Sequence, residues 1–260
     1  MTTVAESTVP VELDWSALIE VALVMPGSVG NTYNRFYDYS FLNQVLLMLQ
    51  GVSEPVATYN KWLELGRQVR KGEKAYVINR PIVIKRKQAD GEEGEPSTYR
   101  RFKLVKCLFA LSQTDGEELP PVEVPGWDLT KALETLDVKR IEFSTIDGNV
   151  QGYSRGREFA VHPMAADAMH TTFHELAHIV LGHTTDAGMA EYLLHRGHAE
   201  FQAEAAAYLA LKEVELLSDE RASHSRGYIQ GWVREQRPSE HSIRQVFTAV
   251  ETILKAGRPS

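Results

Sequence analysis

The stretch His170-Thr171-Thr172-Phe173-His174-Glu175-Leu176-Ala177-His178-Ile179-Val180-Leu181-Gly182-His183 concentrates residue types that do chemistry. On an α-helix, His174 and His178 are four residues apart and share one face. Two neutral imidazoles so placed can hold one Zn²⁺, and Glu175 can polarise a metal-bound water. Such a helix needs a buried side, which Phe173, Leu176, Ala177, Val180 and Leu181 supply, and Gly182 suits its end. The competing reading is two ordinary histidines on an ordinary helix, so the context of the short HExxH pattern has to decide.

A catalytic zinc needs a third protein ligand and keeps a fourth position for water. Glu200 and Glu204 lie 22 and 26 residues beyond His178, spaced i and i+4 in an alanine-rich stretch. A helix beside the HELAH helix can present one of them to the metal, while the other hydrogen-bonds a ligand histidine. This pattern is similar to the Glu-x-x-x-Asp arrangement of gluzincin metallopeptidases, whose first carboxylate is the ligand. That resemblance favours Glu200, with Glu204 as alternative ligand or support. His170 reads as a capping or surface residue, and His183 as lying past the helix end. Tyr192, His198, His224 and Tyr228 are unranked candidates for a transition-state donor.

The elements around this site follow from pattern and punctuation. Helical periods run over 14–25, 41–50, 59–65, 130–136, 200–217, 225–235 and 239–255. Strand-like runs cover 75–79, 82–86, 99–108, 140–145 and 157–161. The polar stretch 88–97 reads as a hairpin loop, and 116–127, rich in Pro, Gly and acidic residues, as a linker. The expected fold class is α+β. Residues 1–12 read as a disordered tail, 13–115 as a first domain and 128–260 as a second. Arg157–Val161 is expected to be the edge strand that aligns an extended peptide beside the active-site helix.

Composition narrows the classes. A hydrophobic fraction of 43% in 260 residues is ample for a core, which sets wholesale disorder aside. The single cysteine, Cys107, allows no internal disulfide and fits a cytoplasmic setting. No apolar run approaches the ~18 residues of a membrane span, and the N-terminus lacks the marks of a secretory signal. Net charge is −7, yet the stretch from Lys61 to Lys106 carries 13 Lys+Arg against 6 Asp+Glu, a local +7. Such asymmetry points to a polyanion-binding region joined to an acidic one, or to a solvated basic face.

Single strands of nucleic acid are bound by basic grooves interleaved with aromatic platforms. The first domain offers Tyr33, Phe36, Tyr37, Tyr39, Tyr59, Trp62 and Tyr76 among Arg35, Lys61, Arg67, Arg70, Lys71 and Lys74. The turn at Gly72 can bring cations and backbone N–H groups to a phosphate. The motifs Tyr39-Ser40-Phe41-x-Asn43-Gln44, Trp62-x-x-Leu65-Gly66-Arg67-x-Val69-Arg70-Lys71-Gly72-Glu73-Lys74 and Ser112-Gln113-Thr114-x-Gly116 resemble the N-terminal domain of ArdC-like antirestriction proteins. The resemblance implies single-stranded DNA as partner, with Tyr39, Asn43, Lys61, Trp62, Arg67, Arg70, Lys71 and Lys74 as contact candidates. It also implies a following zincin-like, gluzincin-type metallopeptidase domain acting on a protein or peptide, with His174, His178 and Glu200 or Glu204 on zinc and Glu175 as general base. Gln202 stands where many such relatives carry an acidic residue. Two rival readings remain: a non-catalytic DNA-protecting protein with a structural zinc, and a protease of the ImmA/IrrE kind acting on a specific repressor.

Overall fold

The structure is a computed structural model. It describes residues 13–24, 39–52, 54–85, 98–119, 126–144 and 150–258, with side chains at all of these except 83–85, 98–101 and 219. The expected tail at 1–12, the loop 88–97 and the aromatics Tyr33, Phe36 and Tyr37 with Arg35 lie outside the described residues, as does 120–125 of the expected linker. The chain is mixed helix and sheet and divides into two compact units. The first comprises Leu42–Pro121 with Met1–Leu13, and the second Asp14–Phe41 with Val122–Ser260. Among the described residues no helix is long and apolar enough to cross a membrane.

In the first unit, β1 (Val56–Thr58), β4 (Thr98–Ala110) and β3 (Tyr76–Lys85) form a sheet in the order β1-β4-β3, all antiparallel. The sequence suggests a break at Arg80-Pro81, but β3 runs straight through. β3 is an edge strand, where a proline without an N–H is tolerated. Part of that edge is closed by side chains of α2 (Phe41–Leu49) and the turn after it. The Asn79 N–H donates to Asn43 Oδ1 at 2.8 Å, and Asn43 Nδ2 donates back to Asn79 O at 3.1 Å. Gln50 treats Val77 the same way, at 2.9 and 2.8 Å. Each amide thus stands in for a neighbouring peptide group.

The short helix α3 (Tyr59–Glu64) starts at Thr58, whose hydroxyl accepts from the Lys61 N–H. It drives Trp62 fully into the core, with the indole N–H on Phe109 O at 2.8 Å. The strands β2 (Arg67–Val69) and β5 (Thr114–Gly116) pair antiparallel. Here Arg67 binds Thr114 Oγ1 and the carbonyls of Thr114, Gly116 and Glu117. Gly116, at φ +145°, allows the approach: a Cβ there would lie 2.3 Å from Gly66 O.

The second unit takes α1 (Trp15–Val24), which the sequence reading assigns to the first domain. Trp15, Leu18, Ile19, Ala22 and Leu23 are all buried. Trp15 packs on Phe247, and the last carbonyls of α1 accept from Tyr208 Oη and Lys212 Nζ. These cations and hydroxyls satisfy the helix end as a cap would. The unit continues with α4 (Leu129–Thr135), β6 (Lys139–Arg140), β7 (Gly152–Arg155), β8 (Glu158–Val161) and α5 (Ala168–Leu181). Then come α6 (Asp186–Leu194), α7 (Arg196–Glu213), α8 (Asp219–Gln236) and α9 (Glu240–Gly257). Helix α7 is buried along Ala203, Ala205, Ala206, Ala207 and Ala210, side chains small enough for close helix packing, and it lies against α5 and α9. Helix α9 supplies Ile243, Val246, Phe247, Val250, Ile253 and Leu254 at helical spacing.

The small sheet runs β6-β8-β7, with β8 parallel to β6 and antiparallel to β7. This corrects the edge-strand expectation. Glu158–Val161 is the central strand, buried at Phe159, Ala160 and Val161, and β7 is the edge on the side of α5. Three consecutive buried residues need a strand covered on both faces, whereas an edge strand shows the half-buried pattern of β7.

Replacing Asn43 by Ala leaves the Asn79 N–H and C=O without their partner and is expected to lower stability by about 1–3 kcal/mol. Denaturant unfolding measures this. An unchanged midpoint would show that the amide does not close the edge of β3.

Candidate metal centre

Helix α5 begins at Asp167, whose carboxylate accepts from the His170 N–H at 2.8 Å. It ends at Gly182 in the left-handed conformation, φ +81°. Between these caps His170, His174 and His178 rise along one face. From α7, Glu200 and Glu204 meet them on different sides of the rings. Glu204 sits behind, its Oε2 3.1 Å from His174 Nδ1 and its Oε1 3.1 Å from His170 Nε2. Glu200 sits in front, its Oε2 3.3 Å from His174 Nε2 and 3.8 Å from His178 Nε2. The two Nε2 atoms are themselves 3.1 Å apart. Among the described residues, His174, His178 and Glu200 form a group able to hold a metal ion, with ligand atoms all within 4.8 Å of one another.

The other oxygen of Glu200 is held by its neighbours. Tyr192 Oη on α6 donates to Glu200 Oε1 at 2.6 Å, and Arg196 Nε approaches the same oxygen at 3.9 Å. Burial would raise the Glu200 carboxyl, but its contacts with His174, His178 and Tyr192 hold it far below the usual carboxylate range. Glu204 is likewise held low against burial by His170 and His174. Burial disfavours the charged form of His174, yet hydrogen bonds to Glu200 and Glu204 outweigh it and lift the group to about 10. A proton and a divalent cation compete for the same lone pair, and both gain from these carboxylates. Burial and the nearby His178 push His183 down to about 4. Burial and the hydrogen bond to Glu200 push Tyr192 up to about 12, so it donates as a neutral phenol.

Glu175 points toward β7. Ser154 Oγ donates to Glu175 Oε2 at 2.7 Å. Gly152 makes this approach possible, since a Cβ there would lie 2.5 Å from Thr171 Cγ2 and 3.2 Å from Glu175 Oε1. These groups line a cleft of about 500 Å³ between β7 on one side and Tyr192, Arg196 and Arg221 on the other. Of the four later donors considered from sequence, Tyr192 lines this cleft; His198 packs on Trp232 instead. His170 is no surface residue: it is 5% exposed and bonded to Glu204. Ser154, Gly152 and the contacts of His183 carried no sequence signal, because each depends on which strand or turn lies against α5.

The sequence model of the N-terminal domain of anti-restriction factor ArdC matches residues 3–108. Residues 3–108 are thus similar in sequence to the ArdC N-terminal domain. The crystal structure of the antirestriction ArdC protein from the R388 plasmid, in metal-free form, aligns over 94% of this chain and 96% of its own, with 20% identity and a TM-score of 0.53. That likeness is one of fold. The Mn(II)-bound structure of the same protein aligns over 94% of both chains, with 20% identity and a TM-score of 0.44. None of the curated proteins matches the chain.

The ArdC N-terminal domain match takes in α1, which packs with the second unit, and so crosses the line between the two units. Within it the candidate DNA contacts separate. Asn43 and Trp62 are corrected: both are buried, Asn43 closing the edge of β3 and Trp62 filling the core, so neither presents a face to a base. Arg67 is engaged with β5, and Arg70 with Asp115, Glu73 and Ser112 O. Lys61 pairs with Glu64 on the surface of α3. Lys71 and Lys74 are exposed beside Gly72, φ +94°. Tyr39 is half-buried and falls in the second unit.

Replacing Gly152 by Ala forces β7 away from α5. A loss of about 1–3 kcal/mol is expected from overpacking, read by denaturant unfolding. Unaltered stability would mean that β7 does not press on Thr171 and Glu175.

Proposed function

We propose that this ArdC-like chain is an antirestriction protein whose second unit is a zincin-like zinc peptidase and whose N-terminal domain binds single-stranded DNA. The observation that carries the peptidase reading is the convergence of His174 Nε2, His178 Nε2 and Glu200 Oε2. Two imidazole nitrogens and a carboxylate oxygen facing one another draw a positive charge, a proton on His174 or a metal ion in its place, and the donor set of two histidines and a glutamate suits zinc. Glu200 is then the third ligand, and Glu204 supports His174 from behind its ring. Zinc held there lowers the pKa of a bound water and polarises a carbonyl.

The remaining chemistry belongs to the chain. Glu175, one residue from the first ligand, accepts a proton from the attacking water and returns it to the leaving amine. Ser154 orients that carboxylate by donating to Oε2. Tyr192 keeps Glu200 turned so that one oxygen faces the imidazoles. The edge of β7 offers backbone groups to an extended peptide, the mode of recognition by strand addition. Replacing Glu175 by Gln is expected to lower peptide hydrolysis by about 10²–10⁴-fold while Zn²⁺ still binds. A fluorogenic peptide library and a Zn²⁺ titration check the two parts, and full activity in the variant would sink the mechanism.

The DNA reading is supported by the ArdC domain match and by the local charge of +7 between Lys61 and Lys106. With Asn43 and Trp62 buried, the exposed cations carry it, foremost Lys71 and Lys74. Replacing both by Ala is expected to weaken binding of a single-stranded oligonucleotide and to flatten its salt dependence. The slope should change by about 0.7 for each phosphate that the variant no longer neutralises. Gel shifts across salt concentrations measure it. Affinity that is absent from the unaltered chain, or indifferent to salt, would point to a protein partner instead.

A further inference from the structure

Which nitrogen of His178 carries hydrogen decides whether its Nε2 can accept a cation. Behind His178 lies a chain of polar contacts that starts from a group of fixed polarity. The carbonyl of Ser242, on α9, only accepts. Gln202 is 4% exposed, with its Nε2 3.4 Å from Ser242 O and 2.9 Å from Gln245 Oε1. The amide nitrogen of Gln202 therefore faces Ser242, and its Oε1 faces the other way, 3.2 Å from His183 Nε2. An amide oxygen accepts, so His183 Nε2 is the N–H. The hydrogen-bond and ring partners of His183 are Gln202, His178 and Tyr192, none of them anionic, so among the described residues no ion pair holds a second proton on the ring. Its Nδ1 then keeps a lone pair, 3.0 Å from His178 Nδ1. That contact is a hydrogen bond if His178 Nδ1 is the donor. The Nε2 lone pair of His178 is left facing His174 Nε2 and Glu200 Oε2.

We infer that His183 and Gln202 are positioning residues that hold His178 in the Nδ1–H tautomer, through a relay anchored on a main-chain carbonyl of α9. The turn at Gly182 makes the relay possible. Its left-handed φ and the bond from the His183 N–H to His178 O, 3.0 Å, fold the His183 ring back onto the helix it follows. The two imidazoles of the metal centre are thus backed differently. His174 donates to a carboxylate, Glu204, and His178 to a neutral imidazole. A ligand backed by a neutral group donates less electron density than one backed by an anion, so His178 is the weaker of the pair. The inference rests on the metal-site reading above for its purpose, though not for its geometry.

The test uses the full chain, with Zn²⁺ titrated against a competing chelator and imidazole tautomers read from long-range ¹H–¹⁵N spectra. Replacing His183 by Leu removes the acceptor, whereas His183→Asn places an amide oxygen near the position that Nδ1 held. His183→Leu is expected to weaken Zn²⁺ binding about 10–100-fold, and His183→Asn to recover most of it. Gln202→Met releases the relay at its root and is expected to shift the His178 signals from the Nδ1–H toward the Nε2–H pattern. Equal losses in the Leu and Asn variants would mark a packing role and overturn the inference. So would an Nε2–H tautomer at His178 in the unaltered chain, a reading that needs no variant to fold. A chain that shows the Nδ1–H tautomer, loses it in Gln202→Met and yet binds no Zn²⁺ would support the relay and remove the metal reading.

Discussion

Lone pairs that face one another repel unless a positive charge lies among them, and the second unit is built to hold three such groups together. The Nε2 atoms of His174 and His178 and one oxygen of Glu200 come from two helices that must stay in fixed register. The alanines of α7 permit the close packing, and α9 covers the far side with its apolar stripe. Each converging group is also held from behind: His174 by Glu204, His178 by His183, Glu200 by Tyr192. A cation drawn to the cluster gives these bonds a common purpose.

Much of this was legible in the sequence, and the part that was not has physical reasons. The spacing of His174, Glu175 and His178 is a statement about one helix, and helical spacing survives translation into structure. The choice between Glu200 and Glu204 is a statement about two helices, and it needed the resemblance to gluzincins. Ring geometry now separates them, one in front of the Nε2 atoms and one behind His174 Nδ1. Helix α6 gave no periodic signal because none of its residues is buried, yet it brings Tyr192 to Glu200. The order of strands in the small sheet is not written in any one strand, so the pattern of 157–161 alone does not distinguish a central strand from an edge. Burial misled in the other direction at Trp62 and Asn43. An aromatic or amide in a basic stretch reads as a nucleic-acid contact until its partners, Phe109 O and the Asn79 peptide, are known.

The two units also show that a stretch recognised by sequence and a unit formed by packing need not coincide. The ArdC N-terminal domain match begins before α1, while α1 buries its apolar face in the second unit against Phe247 and beneath Tyr208. Among the described residues, the carbonyls of Ala22 and Leu23 near the end of α1 accept from side chains of α7, the helix that also carries Glu200 and Glu204. Cutting the chain at the end of the domain match would therefore separate α1 from the groups that complete it.

The closed edge of β3 has a consequence for the behaviour of the protein in a crowded solution. An unprotected strand edge is a template on which a second molecule can add its own strand, the first step of self-association. Asn43 and Gln50 occupy the peptide positions of Asn79 and Val77 that such a strand would use. A helix and the turn after it thereby insulate this part of the sheet with two amides, without a proline or a charge at those positions. At those two positions the edge cannot pair with a strand of another copy.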